Sequence, residues 1–169
     1  GITSYGQSGE QVQHLEQRYD EQGNMVYGKH SYSIDGEAAG SMEGATYTYN
    51  SQGRREKITG DSGWSWTYTY DTDGNLIGKN DYDENGRLTQ YFIYTDGDGY
   101  TKRDYYNADG VFIQYVISFY DEQGKIVRQE HRRADDTLTS YDISEYDANG
   151  KQIAWSNYDA NGNLIFRTT

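Results

Sequence analysis

The sequence predicts an all-β fold, an antiparallel meander of tandem β-hairpin repeats in which every 12–14 residues contribute one strand. Two observations predict it. A seven-residue turn pattern, Tyr-Asp-x-x-Gly-x-Leu, recurs along the chain, with clear copies at 70–76, 82–88, 120–126 and 158–164. The chain also lacks Pro, which central strands exclude because it cannot donate a backbone hydrogen bond. The segments between the turns are therefore expected to be strands of one sheet.

The chemistry of the repeated turn explains its residues. The Asp begins a type I turn, in which its carboxylate accepts the backbone N–H two residues further on. The Gly adopts the left-handed conformation that closes a G1 bulge, so that the Tyr and the Leu lie opposite each other as a cross-strand pair. Asp98 and Asp136 stand at the glycine position of two copies. Asp tolerates the left-handed region, so we expect the same turn there.

The spacing of the turns predicts the faces of the sheet. The residue at the glycine position falls at 74, 86, 98, 110, 124, 136, 150 and 162, so every step is even. Because side chains alternate along a strand, all even-numbered strand residues from Trp64 to Phe166 are expected on one face. The odd face then carries an apolar band that includes Tyr91, Tyr115 and Trp155. A sheet this wide is expected to twist and roll into a trough or partial barrel that covers the band.

The N-terminal part of the chain is less regular. Residues 1–12 are rich in Gly, Ser and Gln and are expected to be a flexible segment, followed by a single repeat domain over 13–169. The step from Gly23 to Gly36 is 13 residues, which breaks the even spacing and predicts a bulge. A glycine-rich loop is expected at 40–44.

Composition excludes several classes of protein. The net charge of −12, from 15 basic and 27 acidic residues, argues against binding to nucleic acid or to anionic lipid surfaces. The absence of Cys excludes disulfides, Cys-ligated zinc and thiol nucleophiles. No apolar run approaches the roughly 18 residues that a membrane-spanning helix needs. Since the chain begins at Gly1 rather than Met, we expect a trimmed chain whose leader or lipid anchor lies upstream.

The repeated motif carries a family resemblance. From Tyr19 to Leu164 it resembles the YD repeats of bacterial cell-surface and secreted proteins, the RHS-like proteins that include toxin shells. This resemblance implies an extracellular or cell-envelope location and an all-β repeat scaffold that in some members binds carbohydrate or forms a shell. The chain is short, its step is shorter than that of the long toxin repeats, and it shows no toxin domain. A small surface protein, such as a lipoprotein, fits these departures better than a toxin shell does.

Metal and cofactor sites are not expected. His14, His30 and His131 are scattered, with no further ligand at metal-binding spacing. The stretch Asp71–Asn75 resembles a calcium loop, but an EF-hand needs Glu at its twelfth position, and here that residue is Tyr82. We interpret these acids as hairpin-turn residues.

Catalysis is not expected either. A glycosidase needs two carboxyl groups about 5–10 Å apart in a cleft. Asp104, Glu130 and Asp142 fall near the middles of their strands and are candidates for facing the same side. Because the chain has 27 acidic residues, such coincidences are expected without function. A glycan-acting enzyme therefore remains the third of three functional hypotheses.

Aromatic side chains form the candidate binding site. Their rings can stack on sugar rings and, with polar neighbours, make a glycan platform. The alternative is that the same rings are core or stabilise the sheet as cross-strand pairs. The candidates are one strand's stripe and its expected neighbours: Trp64, Trp66, Tyr68, Tyr70, Tyr47 and Tyr49.

The first functional hypothesis is a non-enzymatic bacterial surface or secreted repeat protein that binds or adheres through this aromatic surface, with a glycan or another surface protein as partner. The second is a purely structural scaffold or shell fragment without a ligand of its own. The edges of an open sheet can pair between chains, so the oligomeric state is expected to be a monomer or an edge-paired dimer.

Overall fold

A computed structural model describes residues 2–3, 11–34 and 37–169, and within these ranges the regular structure is all strand. Fourteen strands follow one another in the sheet in chain order, so β1 and β14 are its edge strands. The predicted antiparallel meander with one strand per repeat is confirmed. The strands are β1 (Ile2–Thr3), β2 (Gln11–Tyr19), β3 (Met25–Ile34), β4 (Glu37–Tyr49), β5 (Arg55–Gly60), β6 (Ser65–Tyr70), β7 (Leu76–Tyr82), β8 (Leu88–Gly97), β9 (Tyr100–Asn107), β10 (Phe112–Tyr120), β11 (Ile126–Arg133), β12 (Leu138–Tyr146), β13 (Gln152–Asp159) and β14 (Leu164–Thr168).

The chain forms two compact units. Unit 1 comprises 1–69 with 79–89, and unit 2 comprises 70–78 with 90–169. The flexible segment expected at 1–12 lies mostly outside the described residues, although its residues 2–3 and 11–12 belong to strands. The single repeat domain over 13–169 stays a prediction. No helix capable of crossing a membrane occurs in the described parts of the chain.

The repeated turn has the predicted chemistry, with one addition. At 120–126, Asp121 Oδ1 accepts the N–H of Gln123 at 2.9 Å, as predicted, and also that of Lys125 at 2.9 Å. Gly124 has a φ of 77° and donates its N–H to the carbonyl of Asp121 at 3.0 Å. One carboxylate oxygen therefore closes the turn on both sides of the glycine. The same pair of side-chain bonds forms at Asp20, Asn50, Asp83, Asn107, Asp147 and Asp159.

The two aspartates at the glycine position behave differently. Asp136 adopts the left-handed conformation, with a φ of 66°, as predicted. The prediction for Asp98 is wrong, because Gly99 takes that conformation instead, with a φ of 74°. Gly97 pairs with Tyr100, which leaves a two-residue loop. A glycine next to the aspartate accepts the left-handed backbone at lower cost, and the turn shifts by one residue to use it.

The prediction that all even-numbered residues share a face is wrong. Tyr120 pairs with Ile126 across the turn, but the next pair along the hairpin is Phe119 with Arg128. The bulge contains one unpaired residue, so beyond it an odd-numbered residue faces an even-numbered one. Since directly opposed residues point to the same side of a sheet, each bulged hairpin exchanges the two faces.

The corrected register divides unit 2 into two mixed faces. The predicted continuous apolar band on odd-numbered residues does not form, because Tyr115 and Trp155 lie on opposite faces. The front face includes Tyr91, Asp104, Tyr115, Glu130, Tyr141 and Tyr158. The back face includes Phe92, Tyr105, Val116, His131, Asp142, Trp155 and Asn157.

Little of the described chain is fully buried. The buried apolar residues of the two units are Ala45, Ile58, Phe92, Tyr115, Val116 and Ala154. Most other strand residues are half-buried, which fits side chains that cover one another within a sheet. Stability must therefore come largely from contacts between neighbouring strands.

Side-chain ladders supply these contacts on the front face. The guanidinium of Arg128 lies 4.0 Å from the centre of the Tyr141 ring, and the Tyr141 and Tyr158 rings stack at 5.0 Å with 11° between their planes. Tyr91 and Tyr106 stack in the same way, at 4.8 Å and 2°. These spacings match the distance of about 4.8 Å between strands, so the rings cover one another's faces.

The tyrosine hydroxyls connect successive turns. Tyr146 donates its O–H to the carbonyl of Ile126 at 2.8 Å, and Tyr49 donates to the carbonyl of Met25 at 2.8 Å. In each case the Tyr of one turn reaches the last residue of the turn two strands earlier. A Phe ring would pack equally well but could not form this bond. These bonds offer a physical reason for the 19 Tyr and only 4 Phe in the chain.

The irregular region is a long strand. The loop expected at 40–44 is wrong, because β4 runs through it. Gly44 is there for close approach, since a Cβ would lie 2.4 Å from the hydroxyl of Tyr27 and 2.7 Å from the Asp61 carboxylate. The predicted bulge is reflected in two register shifts between β3 and β4, while the turn residues 35–36 lie outside the described ranges.

Replacing Tyr146 with Phe should destabilise the protein by about 0.5–1.5 kcal/mol, because the ring stays and the bond to the Ile126 carbonyl is lost. Urea unfolding followed by circular dichroism measures the change. Tyr19→Phe is the matched control, since Tyr19 is 56% exposed and bonds only to the exposed Gln17 side chain. Equal effects of the two substitutions would contradict a special role for the turn-to-turn bond.

Candidate binding site

The predicted aromatic residues meet on one face of unit 1. Tyr47 pairs with Ile58 across β4 and β5, and Ile58 pairs with Trp66 across β5 and β6. Tyr47 and Trp66 therefore flank Ile58, which is only 4% exposed. Alternation along β4 and β6 places Tyr49 and Tyr68 on the same face. Tyr70, the last residue of β6, belongs to unit 2.

Trp64 is held by three neighbours. Its Nε1–H donates to Glu43 Oε2 at 2.6 Å, and Glu43 Oε1 accepts the backbone N–H of Ser62. The indole lies over Gly60, where a Cβ would be 2.2 Å from the ring atoms. Hydrogen bonds from Ser62 and Trp64 hold the pKa of the Glu43 carboxyl below its usual value. The ring is thus fixed in orientation while remaining half-exposed.

Trp66 lies beside Trp64 and beneath a cation. The two ring centres are 4.9 Å apart, with 41° between the planes. The ammonium of Lys79 lies 4.0 Å from the Trp66 centre and 2.7 Å from the Asp81 carboxylate. The Lys79 and Asp81 side chains are only 16% and 12% exposed, so this cation–π contact is partly desolvated and correspondingly stronger.

The tyrosines of the cluster have their own partners. The Arg55 guanidinium lies 5.1 Å from the Tyr47 ring centre. Tyr49 uses its hydroxyl for the Met25 carbonyl, so its role in the sheet is structural. Tyr68 is half-buried. The face therefore combines indole and phenol rings with carboxylate, ammonium and guanidinium groups, the side-chain types that recognise sugars.

The three acids considered for glycoside cleavage do not share a face. Asp104 and Glu130 lie on the front face of unit 2, and Asp142 lies on the back face, so their expected convergence is wrong. The extra residue of each bulge is the reason. Asp142 accepts hydrogen bonds from Asn157 at 2.8 Å and pairs with His131 at 3.0 Å, within the sheet.

The two acids that remain on the front face are neutralised by cations. Asp104 pairs with Lys102 at 2.8 Å, and Glu130 lies between Arg128 and Arg132 at 2.9 and 2.8 Å. Burial opposes ionisation of Glu130, but hydrogen bonds from Arg132 and Arg128 outweigh it and hold the pKa of Glu130 below its usual value. A catalytic acid needs the opposite shift.

The calcium-like stretch is a turn whose oxygens are already used. Asp71 Oδ1 accepts the N–H groups of Gly74 and Asn75 at 2.6 and 2.8 Å, and Oδ2 accepts the Asn75 side-chain amide at 2.9 Å. These bonds, the Asn75 side chain first, lower the pKa of Asp71. No cluster of three potential metal ligands occurs among the residues that the structure describes.

Lowering the pH should release Trp64. The pKa of Glu43 is lowered in the folded protein, so the stabilisation it provides is present above the ordinary value and is lost as the pH falls through the lowered one. Tryptophan emission of the Trp155→Phe protein should therefore shift below the ordinary titration range of Glu. Glu43→Gln should abolish this transition, and its persistence in that variant would contradict the assignment.

Comparison with known proteins agrees with the repeat pattern. Residues 49–81 match the model of the family described as RHS Repeat. None of the curated proteins matches the chain. A solved porin-like protein from Bacteroides uniformis ATCC 8492 is 10% identical, with 93% of this chain and 88% of that chain covered and a TM-score of 0.50, a likeness of fold alone.

A longer structure contains a similar segment. TcdB2-TccC3-Cdc42 is 18% identical over 97% of this chain, with a TM-score of 0.46. The chain spans only 9% of that protein's length. The resemblance on which the turn pattern depends is confirmed by the family match, and residues 49–81 are an RHS repeat, also called a YD repeat.

Proposed function

We propose that the chain is a non-enzymatic repeat module of a secreted or cell-surface bacterial protein, and that unit 1 binds a glycan through Trp64 and Trp66. The observation that carries the proposal is the geometry of this pair. The two indoles lie on the same strand and are tilted by 41°, so they do not form a cross-strand stack of the kind that joins Tyr141 to Tyr158.

The surroundings of the pair support recognition of a sugar. Glu43 and Gly60 fix the Trp64 indole before any ligand arrives, which lowers the ordering cost of binding. Glu43, Arg55 and Lys79 place charged groups around the rings, and such groups suit sugar hydroxyls while the rings suit the apolar faces of sugars.

The location and the absence of catalysis are part of the proposal. RHS-type repeats are typical of secreted and cell-surface bacterial proteins, which supports an extracellular or cell-envelope location with a lipid anchor as one means of attachment. Asp104 and Glu130, the acids that share a face, are both held by cations, which disfavours an acid catalyst there.

A structural scaffold without a ligand is the second candidate, and a specific observation favours it. The tyrosine hydroxyl bonds between turns and the stacked rings of unit 2 use their aromatic groups for cohesion. In this alternative, Trp64 serves to cover Gly60, and Trp66 serves to hold Lys79.

Tryptophan fluorescence distinguishes the two candidates. Trp155 is the third tryptophan of the chain and packs against Phe166 in unit 2, so Trp155→Phe leaves only the candidate pair as reporters. This protein would be titrated with soluble neutral and acidic oligosaccharides. Binding predicts a saturable emission change for one glycan class, weakened about tenfold by Trp66→Ala, a loss typical of an important contact residue.

A matched control tests the assignment to unit 1. Tyr141→Ala removes a stacked ring of unit 2 and should leave the glycan affinity unchanged. If the emission responds to no glycan and both tryptophans are protected from acrylamide, the binding proposal is wrong and the scaffold remains.

A further inference from the structure

We propose that β14 is a self-association edge, at which β14 of one copy pairs antiparallel with β14 of a second copy. The first observation is exposure. Leu164, Ile165 and Phe166 are consecutive residues of this edge strand, and they are 54%, 62% and 52% exposed. Three large apolar side chains in a row on a strand with one free side form a surface suited to strand addition.

The edge lacks the usual protection against pairing. Edge strands are commonly blocked by Lys, Pro or a charge that points inward. The only charged side chain in residues 163–169 is Arg167. Its guanidinium is directed back into the sheet, where it bonds to Glu145 at 2.7 Å and to Ser156 at 3.0 Å. The charge is therefore compensated within the molecule.

Both faces of the strand would gain contacts from an added strand. Phe166 lies opposite Asn157 on the back face, with its ring 5.9 Å from that of Trp155. Ile165 alternates to the front face, on the same side as Arg167. A neighbouring strand would thus cover apolar surface on the two sides of the sheet at once.

Charge favours a second copy as the occupant. The chain carries a net charge of −12, so two copies repel each other over most of their surfaces. The β14 edge has no acidic residue and is complementary to itself. In the antiparallel register centred on Ile165, each Leu164 faces Phe166 of the other copy, and Arg167 faces Asn163. Apolar residues meet apolar residues, and the two arginines stay apart.

The contact is small, so the dimer should be weak. A single pair of strands buries less surface than a standard stable interface, which is characteristic of transient association. Sedimentation equilibrium of residues 1–169 up to several hundred micromolar should show the mass rising from 19.4 kDa toward twice that value. Ile165→Lys should abolish the rise. Ile93→Lys, at a site on the internal strand β8 that is 41% exposed, is the matched control and should leave it unchanged.

A cysteine test fixes the register. The chain has no Cys, so an introduced thiol can only join two copies. Ile165→Cys lies on the proposed two-fold axis and should form a disulfide dimer under mild oxidation, because directly paired strand residues have the spacing a disulfide needs. Ile93→Cys should remain a monomer. A protein that stays monomeric at every concentration, or a dimer that ignores the β14 substitutions, would overturn the proposal.

Discussion

One carboxylate or amide oxygen that accepts two backbone N–H groups holds each of seven hairpins in shape. In the turn at Asp121 these N–H groups belong to Gln123 and Lys125, on either side of the left-handed Gly124. The glycine and the oxygen together fix a bulge with one unpaired residue. Because every such bulge exchanges the faces of the sheet, this local geometry decides which side chains meet across the strands.

The ladders follow from that exchange of faces. Tyr141 and Tyr158 stack because the bulge between them brings an odd-numbered residue opposite an even-numbered one. With few fully buried apolar residues in the described chain, stacked rings, cations over rings and tyrosine hydroxyls take over much of the role of a core. Rings used in this way have covered faces. The tilted Trp64–Trp66 pair is used differently, which is why the proposed recognition is placed in unit 1.

The local features of the fold were predictable from the sequence, and those that depend on register were not. The type I turn and the Tyr–Leu pairing follow from residues within one motif. The faces were mispredicted because the parity argument counted residues between turns and ignored the one that the bulge leaves unpaired. For the site, strand alternation was enough to place Tyr47 near Trp66. Glu43 and Lys79 were missed, since Glu43 is 21 residues from Trp64 and Lys79 is 13 residues from Trp66.

A double-mutant cycle on Tyr141 and Tyr158 tests most directly whether bulge-determined ladders hold the sheet. Urea unfolding of the two single Ala variants and the double variant should give a coupling of about 0.5–1.5 kcal/mol. The reference pair is Tyr141 with Trp155, which would share a face if parity were uniform but lie on opposite faces here. Its coupling should be near zero. A larger coupling for the reference pair, or none for Tyr141 with Tyr158, would contradict the account.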